Sequence, residues 1–343
     1  MRILVTGGAG FIGSHLVRRL LANEQDHVVN LDALRYSGNL ENLADVAGHP
    51  HYSFVHGDIC DTVTVEKVFK EYHAEVVINC AAETHVDRSI LDPSGFARTD
   101  VIGTAVLLEE ARKAGVARFM QVSTDEVYGS VEKGYSEEDD ALAPRSPYSA
   151  SKAGGDLLVR SYGSTYRLPV LITRGSNTYG PNQYPEKFIP LCITNAIDDQ
   201  PLPLYGDGRY RRDWLSVFDH CGAIEHVLRH GEAGSIYNIS GGNERENITV
   251  AEAILKHLGK PVSLIRYVQD RPGHDRRYAV DCSRLRALGW TPTILFEEGL
   301  QATVDWYRGN EAWWRKIKSG EFRAYYEQVY GQRLKDGGRG IGG

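Results

Sequence analysis

The chain has 343 residues, 42% hydrophobic and 24% charged, a globular composition sized for one large or two coupled domains. A net charge of -6 offers no basic field for nucleic acid, and no apolar run reaches the roughly 18 residues a membrane helix needs. The five cysteines, Cys60, Cys80, Cys192, Cys221 and Cys282, show no zinc-like or C-x-x-C spacing, so reduced thiols, a cytoplasmic setting and no metal are expected.

The first residues, "MRILVTGGAG", enter a strand pattern at once, leaving no room for a signal peptide. "RILVTGG" (2–8) leads into the helical "IGSHLVRRLLAN" (12–23), and "HVVNLD" (27–32) follows. "YSFVHGD" (52–58), "AEVVINCAA" (74–82), "ARFMQVST" (117–124) and "PVLITRG" (169–175) continue the series. Continuous apolar strands alternating with helices predict an α/β fold, a doubly wound parallel sheet of Rossmann type over about residues 1–175. Beyond residue 175, Pro-punctuated segments such as "QPLPLYGDG" and short elements predict a smaller C-terminal α/β substrate-binding domain over 176–330, with some segments returning to the first domain. "VDWYRGNEAWWRKIK" reads as a helix whose Trp306, Trp313 and Trp314 serve packing, and 331–343 as a flexible Gly-rich tail.

Chemistry enters at the first turn. "VTGGAGFIG" carries G-x-G-x-x-G (Gly8, Gly10, Gly13) and G-x-x-G-x-x-G (Gly7, Gly10, Gly13) between a strand and a helix. There a bare backbone and a helix N-terminus suit a pyrophosphate. Phe11 and Ile12 lie within the motif. Asp32, nineteen residues past Gly13, ends the next strand, where a carboxylate accepts ribose hydroxyls and repels a 2′-phosphate; NAD is therefore expected over NADP, with Arg35 weakening the choice. Asp58 and Ile59 follow the third strand near the adenine, and Ala81 follows the fourth.

"SPYSASKAGG" holds Tyr148 and Lys152 in Y-x-x-x-K spacing, one helical turn apart. A nearby ammonium and a positive nicotinamide favour the phenolate, a base for a sugar hydroxyl. With Thr124 at the end of an earlier strand, these residues resemble the Ser/Thr, Tyr and Lys site of the extended short-chain dehydrogenase/reductase family. "STDEVYG" (123–129) sets Asp125 beside Glu126; if the chain turns past the strand, both acids reach the C-terminal sheet edge, where burial and repulsion split them into one acid and one base.

That motif is similar to the signature of nucleotide-sugar 4,6-dehydratases, those acting on dTDP-glucose in particular. "TGGAGFIGS", "AAETHVDRSI", "YGPNQYPEKFIPL", "RDWL" and "DRPGHDRRY" extend the resemblance to about residue 315. It implies that Tyr148 deprotonates the C4 hydroxyl, Glu126 takes the C5 proton and Asp125 protonates the leaving C6 hydroxyl, while Thr124 binds the O4 region and Lys152 holds the ribose. It also implies substrate contacts at Thr84 and Asn177 for the sugar or phosphate, Lys187 helping to place the substrate, Pro203 and Tyr205 for the base, and Arg212, Asn247, Arg271 and His274 for the diphosphate or nucleoside. A homodimer through helices near 99–114 and 148–166 is implied as well. Gly175, Thr178, Tyr210 and Arg211 depart from the usual pattern and leave the base and sugar open. A dehydratase or 4-epimerase for a UDP- or other nucleotide sugar, or a non-catalytic dinucleotide sensor, are the alternatives. The acid pair speaks against the epimerase, and the intact Tyr/Lys pair against the sensor.

Overall fold

The computed structural model describes residues 1–336. Its strands in chain order are β1 (Arg2–Thr6), β2 (His27–Asp32), β3 (Tyr52–His56), β4 (Val76–Asn79), β5 (Arg118–Thr124), β6 (Val170–Gly175), β7 (Asn177–Tyr179), β8 (Leu202–Tyr205), β9 (Arg211–Ser216), β10 (Ile236–Ile239), β11 (Glu244–Glu246) and β12 (Ile265–Val268). Seven form one sheet in the order β10-β6-β5-β4-β1-β2-β3, every neighbouring pair parallel. The order reverses between β1 and β4, and the crevice beyond the strand ends at such a switch is where ligands bind.

Both faces of this sheet are covered, which explains its near-continuous apolar strands. One face packs Leu16, Val17 and Leu20 of the helix Phe11–Leu21 against Ile224 and Val227 of the helix Val217–His230. The other packs Val65, Leu107, Leu108 and Val159. A third core, with Ile193, Trp214, Ile254, Leu300 and Trp314, belongs to the second region, whose strands form the small sheets β11-β9-β7 and β12-β8.

Two expectations need correction. The aromatic segment is two helices, Phe296–Gly309 and Glu311–Ile317, broken at Asn310. Its tryptophans do serve packing: Trp314 is fully buried, and Trp306 and Trp313 pack against the same core. The expected tail begins too early, because residues 332–336 are helical and Val329 and Tyr330 just before them are buried with Leu191 and Phe322. Residues 337–343 of that expected tail lie outside the described residues.

Candidate active site

The glycine turn is shaped by close approach. Gly7 sits at φ +68°, and a Cβ there would fall 2.7 Å from the Ala81 backbone; at Gly13 it would fall 2.2 Å from the Gly7 carbonyl oxygen. Only glycine lets the β1 turn, the β4 end and the first helix converge this closely. Asp32 is fixed by the amides of Ala9 and Leu34, both at 2.8 Å, and it lines the cleft. Arg35, whose charge weakened the cofactor choice, is neutralised by Asp58 at 2.8 Å and Glu83 at 3.3 Å. Gly7, Gly10, Phe11, Ile12, Gly13, Asp32, Asp58, Ile59 and Ala81 line one continuous cleft, which runs on to Thr84, Thr124, Asp125, Glu126, Tyr148, Asn177 and Lys187. A bare glycine cradle at a helix N-terminus, with a carboxylate at the end of the next strand, fits a dinucleotide.

At the end of β5 the chain turns at once. Thr124 caps the tight helical turn Asp125–Tyr128, its Oγ1 accepting the Glu126 amide at 3.3 Å. This turn rotates both acids into the cleft, and their surroundings differ. Asp125 is 3% exposed; burial first, then the charges of Glu126 and Asp213, push its carboxyl well above the usual carboxylate range. Burial also raises Glu126, but Arg271, Arg212 and Lys187 oppose the rise, and Tyr278 donates to its Oε2 at 3.3 Å. Asp125 is thereby the better acid and Glu126 the better base.

Tyr148 lies in the first turn of the helix Pro147–Tyr166, which Ser146 and Ser149 open with reciprocal caps. The sequence pattern predicts a phenolate favoured by Lys152 together with the positive nicotinamide of a bound cofactor. Among the protein's own groups the phenol is held well above its ordinary value, by burial first and then by Glu126 and Asp100; Thr124 hydrogen bonding acts the other way. Lys152 does not line the cleft: its Nζ donates to the buried Val122 carbonyl at 2.9 Å. Burial, Glu126 and Asp100 thus favour the neutral phenol, and the expected phenolate depends on the positive charge of a bound cofactor.

The remaining predicted residues form a cationic, aromatic wall beyond the acids. Arg271 pairs with Asp87 at 3.6 Å, and Asp87 also accepts from Tyr205 at 3.1 Å. Arg212 lies over the Tyr278 ring at 4.3 Å and donates to the Asp275 carbonyl at 2.9 Å. His274 stacks on Tyr210 with centroids 3.8 Å apart and lies edge-on to Tyr205. Burial and nearby guanidiniums keep His274 neutral. Lys187 donates to the Thr84 carbonyl, while Oδ1 of Asn177 and of Asn247 is buried without a protein partner. Pro203 lies on β8 opposite Arg266 of β12. Pro203, Tyr205, Arg212, Asn247, Arg271 and His274 do not line this cleft.

The four departures resolve into two arrangements. Gly175 and Thr178 meet at His220: a Cβ at 175 would sit 2.6 Å from the imidazole, and Thr178 Oγ1 is 2.7 Å from its Nδ1. Tyr210 supplies the ring under His274, whereas Arg211 is half exposed and pairs with Glu244 at 2.7 Å. Sequence reasoning missed Tyr278 as a Glu126 partner and Asp87 as the hub for Arg271 and Tyr205. Both stand inside quoted motifs, "DRPGHDRRY" and "AAETHVDRSI", but no spacing rule brings them to those partners.

A doubly wound sheet with a glycine cradle and a Thr/Tyr/Lys group at its carboxyl edge defines a dinucleotide-dependent enzyme class. Within it, residues 4–303 match the GDP-mannose 4,6 dehydratase family, and the chain belongs to that family. It is 50% identical to dTDP-glucose 4,6-dehydratase of Streptomyces niveus, covering 93% of this chain and 96% of that one. It is also similar to a dTDP-glucose 4,6-dehydratase of Streptomyces venezuelae solved with NAD and TYD bound, with a TM-score of 0.91, 50% identity, and coverage of 93% and 100%. Thermus thermophilus UDP-glucose 4-epimerase, solved with NAD, shares the fold at a TM-score of 0.85 and 34% identity over 90% of this chain and all of that one.

Proposed function

We propose that the protein is a dTDP-glucose 4,6-dehydratase, a hydro-lyase that converts dTDP-glucose to the 4-keto-6-deoxy sugar with NAD retained through the cycle. The observation that carries this is the inward-facing pair Asp125 and Glu126, one buried among carboxylates and the other facing cations. An epimerase needs no such pair, since it removes no water. The dehydratase relatives at 50% identity support the same reading.

When bound, NAD supplies the hydride acceptor and donor that link C4 to C6. Gly7, Gly10 and Gly13 hold its pyrophosphate, Asp32 its ribose, and Asp58 and Ile59 border the adenine. Tyr148 takes the O4 proton while Thr124 hydrogen-bonds O4, and Lys152 contributes positive charge from behind. The C4 ketone acidifies C5, Glu126 takes that proton, and Asp125 protonates the departing C6 hydroxyl. Glu126 then returns its proton to C5. Arg212, Arg271 and Lys187 bind the diphosphate, Arg by its planar fork. They also oppose the burial that raises Glu126, so substrate binding and base strength share the same cations. Thr84 and Asn177 meet the sugar, Pro203 and Tyr205 the base, and Asn247 and His274 the nucleoside.

A homodimer is part of this reading. Ile102 and Leu157, more than half exposed, lie on the two segments 99–114 and 148–166 that would pair. A cytoplasmic setting is supported by five cysteines that are all free. No helix among the described residues is long and apolar enough to cross a membrane.

The test is incubation of the purified protein with dTDP-glucose, with and without added NAD, followed by mass spectrometry. A product lighter by one water, formed without added NAD, is expected. Its absence in both conditions, or a clear preference for a UDP-sugar in a parallel panel, contradicts the reading.

A further inference from the structure

The segment "STDEVYG" holds a side chain that the assigned chemistry leaves unused. Tyr128 ends the tight turn that carries Asp125 and Glu126, yet it does not line the cleft and is buried in a polar network. Its hydroxyl accepts from Arg174 Nη1 at 2.7 Å and donates to Asn238 Oδ1 at 2.8 Å. Arg174 is fully buried on β6, in register between Ser123 of β5 and Asn238 of β10. Its Nε donates to Asp156 Oδ2 at 2.8 Å, and its Nη1 also donates to the Glu138 carbonyl at 3.2 Å.

Asp156 belongs to the helix Pro147–Tyr166, where Tyr148, Lys152 and Asp156 recur at four-residue intervals along one face. One guanidinium therefore grips two elements of the site. Through Tyr128 it holds the acid turn, and through Asp156 it holds the helix of Tyr148. In the proposed reaction these elements act on neighbouring atoms of one hexose, Tyr148 at C4 and the acids at C5 and C6. Their separation has to match the sugar.

We propose that Arg174 is a positioning residue that sets the separation between the acid turn and the tyrosine helix, with Tyr128 and Asp156 as its two grips. The inference rests on the dehydratase reading and adds a residue to it.

The network is built for fixed geometry more than for stability. A buried ion pair such as Arg174 with Asp156 is a poor source of net stability, because desolvation offsets its attraction. The planar fork of arginine, however, directs donors to two partners at once, which the point charge of lysine does not. Arg174 also lies over the Tyr128 ring, 4.8 Å from its centroid. The far side of the Tyr128 hydroxyl is fixed too. Asn238 donates from its main-chain amide to Glu138 Oε1 at 3.0 Å and from Nδ2 to the Ser136 carbonyl at 3.2 Å. Arg174, Tyr128, Asp156 and Asn238 all stay off the cleft wall, so they act on the reaction only through the residues they hold.

The experiment mixes NAD-loaded protein with dTDP-glucose in a stopped-flow instrument, reading enzyme-bound NADH by absorbance and the water-loss product in parallel quenched samples. Tyr128→Phe keeps the ring and removes only the grip on the turn. NADH should form as fast as in the wild type, because the tyrosine helix keeps Asp156 and Lys152. Water loss should slow about tenfold, the scale of one buried hydrogen bond, so that NADH builds up. KM for dTDP-glucose should not change. Arg174→Lys keeps a cation for Asp156 without the fork and should show the same build-up. Tyr128→Phe, which leaves the buried charges paired, decides alone if Arg174→Lys does not fold. Equal slowing of NADH formation and water loss marks a general loosening and overturns the proposal. Wild-type rates for both steps in Tyr128→Phe, or in a folded Arg174→Lys, overturn it as well. A wild type that forms no water-loss product overturns the underlying reaction instead, and the two failures are distinct.

Discussion

The two ends of the cleft are built differently. At the cofactor end, main chain and short-range order do most of the work: Gly7, Gly10 and Gly13 follow one strand, and Asp32 is held by the amides of Ala9 and Leu34. Around and beyond the acid pair, side chains far apart in sequence converge, so that Asp87 meets Tyr205 and Arg271, and Glu126 meets Tyr278. The first design is rigid and tolerates almost no added atoms. The second is electrostatic, and its parts are individually replaceable at moderate cost.

Variants at the two ends sharpen this contrast. The largest effect is expected for Gly13→Ala, because its Cβ would lie 2.2 Å from the Gly7 oxygen and 2.7 Å from Gly8 Cα, both backbone atoms that cannot step aside. Overpacking of about 3 kcal/mol corresponds to a loss of ~100-fold or more in cofactor affinity. NAD released from the purified variant on denaturation should be nearly absent; a wild-type NAD content would show that the turn is adaptable. Arg271→Ala comes next. Losing a charge-assisted contact of about 2 kcal/mol should raise KM for dTDP-glucose ~30-fold while bound NAD is unchanged. An unchanged KM would remove Arg271 from the nucleotide site. The smallest effect belongs to Arg211→Ala. Its partner Glu244 is also engaged by Arg277 at 2.8 Å, and a half-exposed pair contributes under about 1 kcal/mol. Steady-state constants should stay within ~2-fold, and a larger change would mean that this departure from the family pattern reaches the substrate.

The same contrast explains what could be read from the sequence. The six strands of the first region stand close to where apolar runs put them, because a doubly covered parallel strand is apolar throughout. The placement of Gly7, Gly10, Gly13 and Asp32 along one cleft was legible because it is built locally. Tyr148 and Thr124 could be paired only through family likeness, and the carboxyls that oppose the Tyr148 phenolate were not foreseen. The sequence puts Lys152 one turn away but cannot show that a buried carbonyl claims its ammonium, or that Glu126 and Asp100 lie close to the phenol. Tyr278 and Asp87 were illegible as partners for a similar reason. Their contacts arise from tertiary convergence, and neither periodicity nor spacing encodes it.

The acids themselves allow the most direct test. Because the folded-state pKa of Asp125 is raised, the unfolded chain loses this proton first, and stability falls as pH climbs from the ordinary value of about 3.9 toward the folded one. Dehydration should likewise fail on the alkaline side, as Asp125 ionises. Infrared difference spectra of the NAD-loaded protein at neutral pH, compared with Asp125→Asn and Glu126→Gln, report which carboxyl is protonated. The account predicts a protonated-carboxyl band that disappears in Asp125→Asn and persists in Glu126→Gln. A band that instead tracks Glu126, or none from either acid, would contradict it.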